Sequence, residues 1–101
     1  MPLAARGDGT DSVKTGHGCD ATTVTDKCSS KVFINGIGVV REGDAVKSHT
    51  YPVGPSCVPH APVMDGNMAS NITVEGKKVA MVGSTYDGHA VSSGSPTVTF
   101  N

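Results

Sequence analysis

The sequence predicts a small all-β domain built of hairpins, and three features lead to that class. Val supplies 14 of the 20 Leu, Ile, Val and Phe residues, Thr and Ser number ten each, Gly 13, and there is one Leu and no Gln or Trp. Such a mix suits strands and turns and is short of residues that favour long helices. Short β-prone runs flank Asn-Gly-like turn signals. An internal repeat returns the same pattern along the chain.

The repeat is read by laying Val32–His49 over Ile72–His89 without a gap, at an offset of 40 residues. Gly36 then meets Gly76, Val39 meets Val79, Gly43 meets Gly83 and His49 meets His89. A third copy is split between the two ends. Ala4-Ala5-Arg6-Gly7-Asp8 parallels Val39-Val40-Arg41-Glu42-Gly43-Asp44 with one residue missing. Ser95-Pro96-Thr97-Val98-Thr99-Phe100-Asn101 parallels Ser29–Asn35. We therefore divide a single 101-residue domain into a split unit (1–28 with 90–101), a repeat at 29–49, a Pro-rich loop at 50–64 and a repeat at 69–89.

Each unit reads as a hairpin. Val32-Phe33-Ile34 suits an outgoing strand, Asn35-Gly36 a type I′ turn, and Val39-Val40-Arg41 a return strand. Glu75-Gly76 repeats the turn with a weaker first residue, and Gly43-Asp44 and Gly83-Ser84 end the return strands. Four prolines between His49 and Met64 predict an ordered or extended loop, because proline cannot donate to a central ladder.

Size and charge exclude several classes. A chain of 101 residues builds a small core and gains from a staple such as a disulfide, metal or partner. A net charge of −1 disfavours nucleic acid or an anionic membrane as electrostatic partners. No run approaches a membrane span, and MPLAARGDGT lacks an apolar signal core, so signal-peptide export is not expected. Cys19, Cys28 and Cys57 are an odd set. Reduced, partly buried thiols are the expectation, and if one bridge forms, Cys19 to Cys28 is the favoured pair.

The four histidines carry the chemistry. His17, His49 and His89 stand at matching places just beyond the strand ends, and His60 lies in the Pro-rich loop. Units packed around a pseudo-threefold axis would bring equivalent positions together, and a loop ligand would complete a tetrahedron. That is the ligand set of a closed structural zinc site, whose binding free energy becomes folding free energy. The metal site is thus His17, His49, His60 and His89, with Cys19 and Cys57 as alternative ligands. One zinc per chain is expected, and iron is also compatible with such donors.

These motifs, in this order, resemble the PAAR-repeat proteins. The resemblance runs from Pro2-Leu3-Ala4-Ala5-Arg6 with Gly7-Asp8, through His17-Gly18 and Ile34-Asn35-Gly36 with Arg41-Glu42-Gly43-Asp44, to Gly94-Ser95-Pro96-Thr97-Val98. It covers essentially the whole chain and is nearest to the short phage baseplate type. It implies a cone of β-hairpins with a metal near its apex. It further implies that the chain, a monomer by itself, caps a trimeric β-helical spike of a contractile phage tail or type VI secretion system. Such a cap sharpens the tip that meets the target cell envelope, and its place would be the virion or the secreted spike. The family's zinc sites commonly use three His and one Cys, whereas Gly88-His89 stands here at the last ligand position. Met81 replaces the second repeat's arginine, so the last repeat is divergent. Candidates for the spike-binding base are Leu3, Val32, Ile34, Ile72, Val74, Val98 and Phe100.

Two other functions compete. An adaptor would attach effector cargo to a secretion spike, although no fused toxin is expected in a sequence ending in the last strand motif. A zinc hydrolase would need an open ligand position and a general base. Asp87 is the best base available, but Tyr86-Asp87-Gly88 reads first as a turn. A Cys57–His60 nucleophile pair lacks an orienting group. We therefore expect no enzyme.

Overall fold

A computed structural model describes residues 2–16, 18–70 and 72–100. The protein is all-β, and the described residues contain no helix. Eleven short strands are formed: β1 (Ser12–Lys14), β2 (Thr22–Val24), β3 (Phe33–Ile34), β4 (Ile37–Gly38), β5 (His49–Val53), β6 (Ser56–His60), β7 (Met64–Gly66), β8 (Thr73–Val74), β9 (Lys77–Lys78), β10 (Thr85–Tyr86) and β11 (His89–Val91). A five-stranded sheet has the order β2-β1-β11-β10-β7, and β3-β4, β5-β6 and β8-β9 are separate ribbons. The molecule measures 42 × 22 × 22 Å, one long axis and two equal short ones.

The turns follow from backbone sterics. Asn35 and Gly36 have φ of 54° and 78°, and Glu75 and Gly76 have 56° and 79°. Two successive positive values define the type I′ turn expected at both sites. Glu75 accepts this costly conformation because its carboxylate is held by Arg41 Nη1 and Ser29 Oγ, each at 2.7 Å.

The return segments do more than close their own hairpins. Residues 3–7, 38–42 and 78–82 meet in a cyclic ladder. Ala5 N donates to Ala80 O, Ala80 N to Val40 O, and Val40 N to Ala5 O, at 2.9–3.2 Å. A second circuit runs alongside: Gly7 N to Gly38 O, Glu42 N to Lys78 O, and Val82 N to Leu3 O. The bridges Arg6–Val39, Arg41–Val79 and Ala4–Met81 fall in the same register. The two circuits run in opposite senses, so each segment donates to and accepts from both of the others, which leaves no free edge among the three.

The split hairpin forms across the chain ends. Leu3 pairs with Thr99 as Gly38 pairs with Phe33 and Lys78 with Thr73. Ser29, Ala69 and Ser95 donate their backbone N–H to Val39, Val79 and Ala4. The Ser29 hydroxyl also accepts from the N–H groups of Lys31 and Val32, and that of Ser95 from Thr97 and Val98.

Side-chain alternation along the ladder creates two cores. Ala4, Val39 and Val79 point to one side, with Ile34, Ala69 and Val74. Ala5, Val40 and Ala80 point to the other, with Val13, Val46, Met64, Tyr86 and Val91. Small residues are needed at 4, 5 and 80 because three backbones converge there. Paired ions close the rim. Arg6 grips Asp11 through its backbone N, Nε and Nη2 at 2.6–3.1 Å, and Arg41 grips Asp44 the same way at 2.8–3.0 Å. Met81 N meets Ser84 Oγ at 3.0 Å, so the divergent repeat keeps the backbone contact without the charge.

The Pro-rich stretch departs from the loop expected for it: most of it is the β5-β6 ribbon. Gly54, with φ of 58°, followed by Pro55 makes a two-residue type II′ turn. Val53–Ser56, Tyr51–Val58 and His49–His60 are then the hydrogen-bonded pairs. Pro52 and Pro59 fall between them, where the missing N–H would have faced outwards.

Tyr86 is fully buried, and its hydroxyl meets no hydrogen-bond partner among the described residues. Burial pushes its phenol far above the ordinary range, with the charges of Asp44 and Asp26 adding to the shift. The folded state therefore favours the neutral form. Its contribution is complete below about pH 10 and is lost as pH rises beyond that. Tyr86→Phe is expected to stabilise the fold by about 1 kcal/mol in denaturant melts at neutral pH and to flatten the loss of stability above pH 10. A destabilised Tyr86→Phe protein would show that the hydroxyl is satisfied.

Candidate metal centre

The two ribbon strands and β11 bring three histidines together. His49 opens β5 and lies directly across from His60 at the end of β6. His89 opens β11, just past the Asp87-Gly88 type I′ turn, and pairs with Tyr86. The imidazoles meet at steep angles, with centroids 4.3–5.1 Å apart. His49 and His89 are buried and His60 half-buried.

The ring nitrogens converge. His89 Nε2 stands 3.0 Å from His49 Nε2 and 3.3 Å from His60 Nε2. His49 Nδ1 is 3.0 Å from the Lys47 carbonyl, which can only accept, so Nδ1 carries the proton and Nε2 presents its lone pair. Two nitrogens on a tetrahedral zinc stand roughly 3.3 Å apart, given Zn–N bonds of about 2.0–2.1 Å. The donor type, spacing and outer hydrogen bond fit a metal ion. One proton can bridge only one such pair at a time, whereas one cation can hold all three nitrogens.

The structure brings together His49, His60 and His89; His17 lies outside the described residues. The alternative cysteine ligands are corrected: Cys19 and Cys57 are joined in a disulfide, and neither offers a thiolate. Reduced thiols, the expectation, hold for Cys28 alone, and the bridge that forms joins Cys19 to Cys57 where Cys19–Cys28 was the favoured pair. Sequence spacing favoured the nearer partner, but β5-β6 formation carries Cys57 to the β1-β2 loop. Burial raises the Cys28 thiol pKa, with Asp8 and Asp44 adding to the effect. The bridge closes a sequence separation of 38 residues, worth about 4 kcal/mol on a chain-entropy view.

The rival catalytic groups are engaged in a turn and in a disulfide. Asp87 sits at φ 50° in its turn, exposed, with its N–H on Asp65 Oδ1 at 3.1 Å. Cys57 is bridged, and strand alternation turns it to the ribbon face opposite His60.

The proposed base residues separate into two sets. Ile34 and Val74 are buried at 7% and 8% exposure, because the residue before each turn faces the core. They are thus removed from the candidate surface. Leu3, Val98 and Phe100 are half-buried, and Val32 and Ile72 are exposed. Phe33, at 57% exposure, was missed. Alternation in Val32-Phe33-Ile34 is the signal that could have found it, since burying Ile34 turns Phe33 outwards.

No protein-family model matches the chain, and no curated protein matches it.

Zinc added to metal-free protein is expected to raise its stability by about 2.7 kcal/mol at a hundredfold excess over Kd, read as a shift in thermal midpoint. His89→Ala should lower zinc affinity by more than about tenfold in chelator competition. Unchanged midpoints with and without zinc would dismiss the metal centre.

Proposed function

We propose that this protein is a non-enzymatic, metal-stabilised tip that caps the trimeric β-helical spike of a contractile injection machine. The cyclic ladder of residues 3–7, 38–42 and 78–82 carries this reading. A monomer that meets a trimer end-on needs three similar faces. Three segments, each hydrogen-bonded to both of the others at matching positions, would offer such faces around a pseudo-threefold axis. The equal short dimensions of 22 Å are those of an elongated body, as a tip would need.

The base lies at the β3-β4, β8-β9 and terminal hairpins. There Val32, Phe33 and Ile72 present apolar surface, and paired strands can cover the open end of a β-helix. In this reading the His49–His60–His89 cluster forms the apex, where one zinc and the ligand assigned to His17 would stiffen the tip. Contraction elsewhere in the machine would supply the force that drives the tip into the target envelope. The motif order that resembles the PAAR-repeat proteins supports the same assignment, in a phage virion or on a secreted type VI spike. Carriage of effector cargo is the second reading.

The test is affinity purification of the tagged full chain from its source cells, followed by native mass spectrometry. One copy bound to three copies of a β-rich partner is expected, and Phe33→Asp with Val32→Asp should abolish the complex while leaving the monomer folded. Recovery of equal numbers of both chains, or a complex indifferent to both substitutions, would overturn the proposal.

A further inference from the structure

The ribbon that carries two of the three histidines is weakly tied to the rest of the fold. Strands β5 and β6 pair only with each other among the described residues, and an isolated two-stranded hairpin is marginal in water. Its root is held by a Thr25–Val46 bridge and by Lys47 N on Val24 O at 3.0 Å. Beyond the root, the β1-β2 loop ties the ribbon's back face. Asp20 Oδ2 accepts from Thr50 N at 2.7 Å and from Thr50 Oγ1 at 2.6 Å. Cys19, the neighbouring residue, is bonded to Cys57. Register places Thr50 and Cys57 on one face of the ribbon, and His49 and His60 on the other. The loop itself is braced by Thr15 N on Ala21 O at 3.1 Å and by a hydrogen bond from Thr15 Oγ1 to Asp20 O.

We propose that the Cys19–Cys57 disulfide is a redox latch on the metal centre, which holds the ribbon's back face so that its front face keeps the histidines in ligating position. The inference rests on the metal reading above. Cys57 is exposed and Cys19 half-exposed, so a small dithiol can reach the bond. The dithiol supplies two electrons and two protons. The Cys19–Cys57 S–S bond breaks, both sulfurs become thiols, and the dithiol closes its own disulfide. The Asp20–Thr50 hydrogen bonds then remain between this loop and the ribbon, without a covalent tie. A ribbon freed in this way samples geometries in which the three nitrogens no longer converge, and the ion leaves faster. An added disulfide reverses the exchange: the Cys19–Cys57 bond re-forms, the added disulfide takes the two electrons and two protons and leaves as two thiols, and the retentive state returns. Metal loading in a reducing compartment and retention in an oxidising one follow from the same bond.

The experiment uses zinc-loaded full chain and follows zinc transfer to a chromophoric chelator. Three samples are compared: disulfide-intact protein, protein reduced by a dithiol, and the Cys19→Ser/Cys57→Ser double variant. Release at least tenfold slower from the disulfide-intact form than from both others is expected, with far-UV circular dichroism unchanged. Rates within twofold of one another would overturn the latch. Slower release from the reduced protein than from the double variant would overturn it in favour of thiolate ligation. Loss of the circular dichroism signal in both opened forms would show a staple for the whole fold instead. Should the serine variant alone unfold, the reduced protein decides. If no form takes up zinc, the metal reading fails and the latch with it, an outcome seen in the metal content and not in the rates.

Discussion

Three backbone hydrogen bonds, from Ala5 to Ala80, Ala80 to Val40 and Val40 to Ala5, constrain everything else in this protein. They bring three distant parts of the chain within one backbone width, which forces small or β-branched residues at 4, 5, 39, 40, 79 and 80. Because strand side chains alternate, the same circuit divides the apolar residues into two layers. One layer is shared with the hairpin ends and the other with the five-stranded sheet. Each layer is thin, so the fold also relies on polar clamps, the two Arg-Asp pairs foremost. Buried Asp11 and Asp44 are each matched by a fork of guanidinium and backbone donors, as desolvated carboxylates require.

Much of this architecture was legible in the residues. Asn35-Gly36 and Glu75-Gly76 marked their turns because positive φ is rare and local sequence dictates it. The convergence of His49 and His89 followed from their equivalent places in the repeat, and His60 was chosen as a ligand from the Pro-rich loop. The ribbon was hidden, because prolines were counted without regard to which side of a ladder they occupy. Once the Gly54-Pro55 turn fixes the pairing, Pro52 and Pro59 fall on outward-facing positions. The disulfide was hidden for the same reason, since Cys19 and Cys57 become neighbours only after the ribbon folds. Phe33 was overlooked because the base was assigned to the Val32 and Ile34 side of the strand, whereas burial of Ile34 turns Phe33 outwards.

The metal centre and the ladder are complementary solutions to one difficulty. A chain this short and this poor in Leu has little apolar surface to bury. The ladder secures the middle of the molecule through backbone bonds, while the ribbon receives almost no help from it. Histidine convergence and a covalent bridge both act on that ribbon, so cross-linking is concentrated where packing is weakest.

The pairing of Leu3 with Thr99 reaches beyond stability to the order of folding events. The first of the three converging segments acquires its hairpin partner from residues at the opposite end of the sequence. Its register is therefore set by a contact spanning nearly the full chain, and the loop entropy of that contact precedes any reward. The other two hairpins are local and can form early, but neither can complete the circuit without the segment at residues 3–7. Folding of the ladder is thus gated by its most remote contact, which gives the protein the kinetics of a high-contact-order fold despite its small size.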